Sequence, residues 1–189
     1  SGAVYVYKRT GVSWMQEAYI KSSNNKQEDA FGRQVYIDGD TLVVSAYNEE
    51  SNQTTITNGG GSSSNDSLRD AGAVFVYKRV DNASSSTGFT WTQEAYIKTS
   101  NVGIDDYLGR YGLSIDNDTI AVGSTGEDSN QTTITNGTTT ASTNQSSSSS
   151  GAVYVYKRTG TTWAQEAYIK AKNNDAGDYF GTGVSIDED

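Results

Sequence analysis

The chain has no histidine, no cysteine, no proline and a single methionine among its 189 residues. Without histidine there is no Ser-His-Asp or Cys-His machinery and no imidazole-ligated metal. Without cysteine there are no disulfides, no thiolate zinc sites and no thiol nucleophile. About nine prolines would be expected at average usage. Positive charge is scarce as well: 14 Lys+Arg stand against 23 Asp+Glu, a formal net charge of −9. That balance argues against nucleic acid and anionic membrane surfaces as partners, since both need clustered cations. Apolar runs extend only a few residues, so membrane insertion is not expected. The sequence opens Ser-Gly-Ala-Val rather than on Met, which reads as a processed or partial chain.

What is abundant is polar and aromatic. Ser, Thr and Asn make up 60 of the 189 residues, and only 34% of residues are hydrophobic. Low hydrophobicity alone would suggest disorder. Yet there are 13 Tyr, 4 Phe and 3 Trp, and they sit with β-branched residues in tight clusters separated by polar stretches. Such spacing is that of short strands joined by long soluble loops.

The clusters repeat. Gly-Ala-Val-Tyr-Val-Tyr-Lys-Arg occupies 2–9, returns identically at 151–158, and recurs at 72–79 with Phe75 replacing one Tyr. Each copy is followed by Trp-X-Gln-Glu-Ala-Tyr-Ile-Lys, at 14–21, 91–98 and 163–170. An acidic stretch then leads to Phe31 and Gly32, Leu108 and Gly109, or Phe180 and Gly181, followed by a Val/Leu-X-Ile-Asp segment. Two copies continue into apolar runs at 41–46 and 119–123 and into near-identical tails from Glu49 and Glu127. Self-similarity at this period marks a repeat architecture.

Each repeat holds four strand candidates, a (31–38), b (41–47), c (71–79) and d (90–98). In c, Val4 and Val6 alternate with Tyr5 and Tyr7; in d, Gln16, Ala18 and Ile20 alternate with Glu17, Tyr19 and Lys21. Period-2 alternation with bulk on both faces predicts sheets stacked on sheets. Asp38-Gly39-Asp40 and Asp116-Asn117-Asp118 predict tight hairpins between a and b. No 3.6-residue apolar period is sustained, so the fold class is all-β. Four antiparallel strands per repeat make a β-propeller blade. The expected organisation is strands c and d of a partial blade (1–30), a second blade (31–107), a third (108–179) and the first strand of a next blade (180–189). That is about two and a half to three blades, incomplete alone or part of a larger propeller or array.

The run Phe-Gly-X-X-Val-X-Ile-Asp-Gly-Asp-Thr-Leu-Val-Val-Ser-Ala at 31–46 resembles the FG-GAP repeat of integrin-alpha-type propellers, and more closely its bacterial secreted variety. The resemblance implies an extracellular, secreted or surface protein that mediates adhesion or display, commonly on seven blades. Calcium-binding members carry Asp-X-Asp-X-Asp-Gly-X-X-Asp between strands a and b. Here the candidate ligands shrink to Asp38, Asp40, Asp116 and Asp118, short of the six to eight oxygens calcium takes. No cofactor is therefore expected, with calcium as the one alternative. Other acids recur in register: Glu28 and Asp29 with Asp105, Asp106 and Asp178, and Glu49 and Glu50 with Glu127 and Asp128. They could converge on a cation or simply cap turns. Paired carboxylates also serve glycosidases, but nothing distinguishes one pair from its repeat-mates, so no catalytic residue and no enzyme is expected.

Trp14, Trp91 and Trp163, with Phe31, Leu108 and Phe180, are expected as blade packing; an aromatic row stacking on sugars is the other reading of the tryptophans. The b-to-c loops at 51–70 and 129–150 are long, and a Thr-Thr-Ile-Thr in each could add an edge strand. Asn52, Asn65, Asn82, Asn117, Asn130, Asn136 and Asn144 all head Asn-X-Ser/Thr sequons, candidates for glycosylation. The function expected is an extracellular, non-enzymatic structural or assembly protein, partnered by itself or by neighbouring repeats in filaments or arrays. The alternative is an adhesion module binding a surface receptor or glycan within a closed propeller.

Overall fold

The computed structural model describes residues 1–138 and 141–187. Among them there is no helix, and twelve strands form three antiparallel sheets. The first is a two-stranded ribbon of β1 (Val4–Thr10) and β2 (Ser13–Ile20). The second contains β3 (Phe31–Asp38), β4 (Thr41–Ala46), β5 (Thr57–Asn58), β6 (Ala73–Asp81) and β7 (Phe89–Ile97), in the order β3-β4-β6-β7-β5. The third repeats that order with β8 (Leu108–Asp116), β9 (Thr119–Ser124), β10 (Ile134–Asn136), β11 (Ala152–Thr159) and β12 (Thr162–Ile169). The sheets are successive propeller blades that do not close into a ring.

Local sequence explains the elements. The a-to-b hairpins turn on two residues, with Asp38 opposite Thr41 and Asp116 opposite Thr119. Gly39 and Asn117 take φ of 51° there, a left-handed conformation that Gly and Asn tolerate best. Strands β4 and β9 lie between two neighbours, β4 beneath the adjoining sheets and β9 between the second blade and the segment from Gly181, and every residue in them is buried. Their near-continuous apolar run is what such a position requires. The Thr-rich loops do add a strand each: β5 and β10 pair on the outer edges of β7 and β12.

Ten of the eleven expected strands form. The exception is the segment from Phe180. It makes one parallel bridge to Gly151 and is otherwise irregular through Asp187; the last two residues of that expected strand lie outside the described residues. β3 and β8 fold back on β4 and β9, whereas 180–187 has no strand b here to pair with. The same Gly-to-Phe/Leu contact joins the blades: a Cβ on Gly2 would sit 1.9 Å from the Phe31 carbonyl oxygen, and one on Gly72 2.5 Å from the Leu108 nitrogen. Only glycine allows the backbones so close.

Two cores lie between the blades. One gathers Val4 and Ile20 from the first blade with Phe31, Leu42, Val44, Phe75, Tyr77 and Tyr96 from the second. The other sets Val43, Val74, Val76, Ala95 and Ile97 of the second blade against Leu113, Ile120, Tyr154, Tyr156, Trp163 and Tyr168 of the third. Each interface therefore opposes an aliphatic face to an aromatic one. Trp163, Phe31 and Leu108 are buried, and Trp91 and Phe180 are half-buried. Trp14 is a correction. It is 66% exposed, because the aromatic face of the first blade has no blade lying on it.

Candidate assembly interface

The interface depends on a β-bulge that recurs in every blade. In the first, Val6 pairs with Ala18 but Tyr7 pairs with Gln16, so Glu17 is the extra residue. Glu94 and Glu166 hold the same position in β7 and β12. A bulge re-aims a side chain and reverses the alternation beyond it. Simple alternation places Glu17 with Tyr19; instead Glu17 joins Ala18 and Val6 on the face toward the second blade. Beyond the bulge, Gln16 and Trp14 join Tyr5, Tyr7 and Tyr19.

The re-aimed glutamate meets a fixed set of donors. Arg79 donates from Nε and Nη2 to Glu17 at 2.8 and 2.7 Å, and the Trp91 indole N–H donates to the same carboxylate at 2.9 Å. One blade on, Arg158 Nη1 and the Trp163 indole each donate to Glu94 at 3.0 Å. A two-pronged guanidinium contact is directional as well as charged. The Arg79 hydrogen bonds hold the Glu17 carboxyl below its ordinary value against the opposing effect of burial. Arg79 and Arg158 also lie over the rings of Phe89 and Trp163.

Within each complete blade a second, buried pairing ties the long loop to the sheet. Lys98, at the end of β7, donates to Glu49 at 2.9 Å and to the Gly72 carbonyl at 2.7 Å. Lys170 likewise meets Glu127 at 2.6 Å and Ser150 Oγ at 2.7 Å. Asn24 and Asn101 bridge the same glutamates to the loop carbonyls of Ser63 and Ser142. Burial pushes the Lys98 ammonium down from the ordinary lysine value, opposed by Glu49. The two locks differ in the lysines' second acceptor and in one hydroxyl. Tyr154 O–H donates to Asn101 Oδ1 at 2.6 Å, whereas Phe75 has no hydroxyl and Asn24 Oδ1 is buried without a partner.

Residues 14–77, from Trp14 through Tyr77, match the family model described as FG-GAP repeat. That segment is similar to an FG-GAP repeat. The match spans the junction of the first two blades and so includes Glu17, Phe31 and the first long loop. No curated protein and no solved structure matches the chain.

The aspartates of the a-to-b turns are engaged by protein groups. Asp118 accepts from Arg158 Nε at 2.7 Å, Asp40 lies 3.5 Å from Arg79, Asp38 accepts the Asn117 N–H at 2.7 Å, and Asp116 accepts from the Asn117 side chain at 3.1 Å. The other recurring acids do not converge either. Asp29, Asp106 and Asp178 accept backbone N–H groups of Lys26, Gly103 and Asp175. Glu50 pairs with Lys26, Asp105 with Arg69, and Asp128 accepts from Ser149 N–H; Glu28 is exposed. Among the described residues no three carboxylates are placed to hold a metal ion. Asp106 is the most perturbed: burial, then nearby Glu127 and Asp128, push its carboxyl up to about 7 against the Gly103 N–H bond, and its Oδ1 is buried without a partner.

Of the sequon asparagines, Asn52, Asn65, Asn117, Asn130, Asn136 and Asn144 are exposed; Asn82 is half-buried and donates its amide to Thr90 at 2.6 Å. Arg79, Arg158, Glu17, Glu94, Lys98 and Lys170 escaped sequence reasoning as site residues. Their signal was recurrence: each belongs to a motif repeated three times.

Proposed function

We propose that this FG-GAP repeat protein is a non-enzymatic, extracellular structural element whose work is blade-on-blade assembly with itself or with neighbouring repeats in surface filaments or arrays. The observation that carries this reading is that two successive blade interfaces are built from one repeated set, a bulged Glu, an Arg and a Trp. The recurring ionisable groups go into pairing strands, loops and blades, an arrangement suited to a scaffold. No helix of the described residues is long and apolar enough to cross a membrane. Negative-stain electron microscopy of native material tests the proposal: fibres or sheets are expected, and isolated discs at every concentration would overturn it.

A second reading, recognition of a surface glycan or receptor by a closed propeller, has one observation in its favour. A cleft of about 390 Å³ between the third blade and the segment that follows it is lined by Tyr107, Arg110, Tyr111, Ser149 and Tyr179. Arg110 lies over the Tyr107 and Tyr111 rings at 4.7 and 5.0 Å. Glycan-array binding lost on R110A would favour this reading; no binding would remove it.

A further inference from the structure

We infer that the two end faces of this chain bind each other between copies, head to tail, through Arg9 and Trp14 of one copy and Glu166 of the next. The inference rests on the assembly reading above and names its partner, a second copy of the chain. It follows from what the repeated interface leaves over. Two glutamates of the bulge series, Glu17 and Glu94, are covered by the next blade's Arg and Trp. The third, Glu166, is exposed. At the opposite end Arg9 and Trp14 occupy the positions of Arg79 and Trp91 and are exposed too. One end thus presents the cation and indole, and the other the anion.

The apolar surfaces are complementary in the same sense. Tyr5, Tyr7 and Tyr19 of the first blade are 54%, 54% and 52% exposed, whereas Tyr154, Tyr156 and Tyr168, their counterparts in the third blade, are at most 1% exposed. On the far face, Val155 and Ile169 are half-buried where Val76 and Ile97 are at 0%. A contiguous aromatic patch of this kind on a soluble domain marks an interaction surface. Its natural counterpart is the aliphatic face that already covers the same aromatic set twice within the chain.

Phe180 adds a third element. Gly151 bridges Phe180 as Gly72 bridges Leu108, so Phe180 already stands where the next blade begins. Phe31 in that place packs edge-on against Phe75, with ring centroids 5.4 Å apart, and against Tyr77 at 6.3 Å. In the contact between copies, Phe180 meets Tyr5 and Tyr7, the counterparts of Phe75 and Tyr77. Because the two faces differ, the contact is heterologous and, on the assembly reading above, propagates into an open filament rather than stopping at a dimer.

Sedimentation velocity of the 189-residue chain over a concentration series tests this, with R9E, E166R and the double reversal R9E/E166R alongside. The wild type is expected to associate in steps. Either single reversal is expected to weaken association about tenfold or more, since like charges then face each other, and the double reversal to restore it. Both positions are exposed, so each variant is expected to keep the wild-type circular dichroism. Association unchanged in both single variants would overturn the interface while leaving the assembly reading intact. A wild type that stays monomeric at every concentration would overturn both.

Discussion

Trp14 and Trp163 hold the same place in two blades, yet one is 66% exposed and the other 1%. Their strands share the Trp-X-Gln-Glu-Ala-Tyr-Ile motif, register and bulge. The difference lies in the neighbour: β12 has the second blade laid over its aromatic face, and β2 has nothing over the corresponding face. In this architecture a strand's sequence prepares a surface, and the adjoining blade decides whether that surface is core. A blade is accordingly stable in proportion to what lies on both its faces, as in other quasi-one-dimensional repeat folds.

The comparison yields an ordered set of tests. The largest effect is expected inside the blade. K98M leaves Glu49 buried and without its cation, which costs about 3–5 kcal/mol; denaturant unfolding should show it, with partial recovery in E49Q/K98M. Close behind, W163A should cost about 3–5 kcal/mol, while W14A stays within about 0.5 kcal/mol under dilute, monomeric conditions. Equal losses at the two tryptophans would break the comparison.

Smaller effects sharpen it at the atomic level. Phe75 and Tyr154 hold matching places and differ by one hydroxyl, so Y154F should lose, and F75Y gain, about 0.5–1.5 kcal/mol. A destabilising F75Y would show that the Asn24 oxygen is not reachable from that ring. The last test concerns pH. Asp106 titrates at about 7 in the fold and near 3.9 in an unfolded chain, so the folded state holds the extra proton between those values. Its contribution to stability is full below about pH 4 and is lost as the pH rises through 7. D106N should therefore flatten the fall in stability between about pH 4 and 7; an unchanged slope would remove Asp106 as its cause.

Much of this was legible in the sequence. Period-2 alternation and the Asp-Gly-Asp turn placed the strands, and the threefold recurrence placed the blades, because both signals are local. The bulge was not legible. Gln-Glu-Ala carries no mark of an extra residue, which becomes visible only in the register against the partner strand; missing it puts Glu17 and Trp14 on the wrong faces. The segment from Phe180 carries the strand pattern but forms no strand in the described residues, because a strand also needs an edge to pair with. For the recurrent carboxylates, residue type left a cation and a turn cap both open, and the structure assigns them arginines and lysines far away in sequence or, for Asp29, Asp106 and Asp178, backbone amides three residues before them.

The most direct measurement exploits the absence of cysteine. Lys8 of the first blade lies 4.8 Å from the Phe89 ring of the second, and Lys157 and Val12 are the corresponding residues at the chain's two ends. Val12→Cys and Lys157→Cys chains, each made separately and then mixed, should be joined by a short bismaleimide, with neither variant cross-linking to itself. Cross-linking of Val12→Cys to Val12→Cys, or no cross-link in the mixture under conditions where the chain associates, would contradict a head-to-tail repetition of the internal interface.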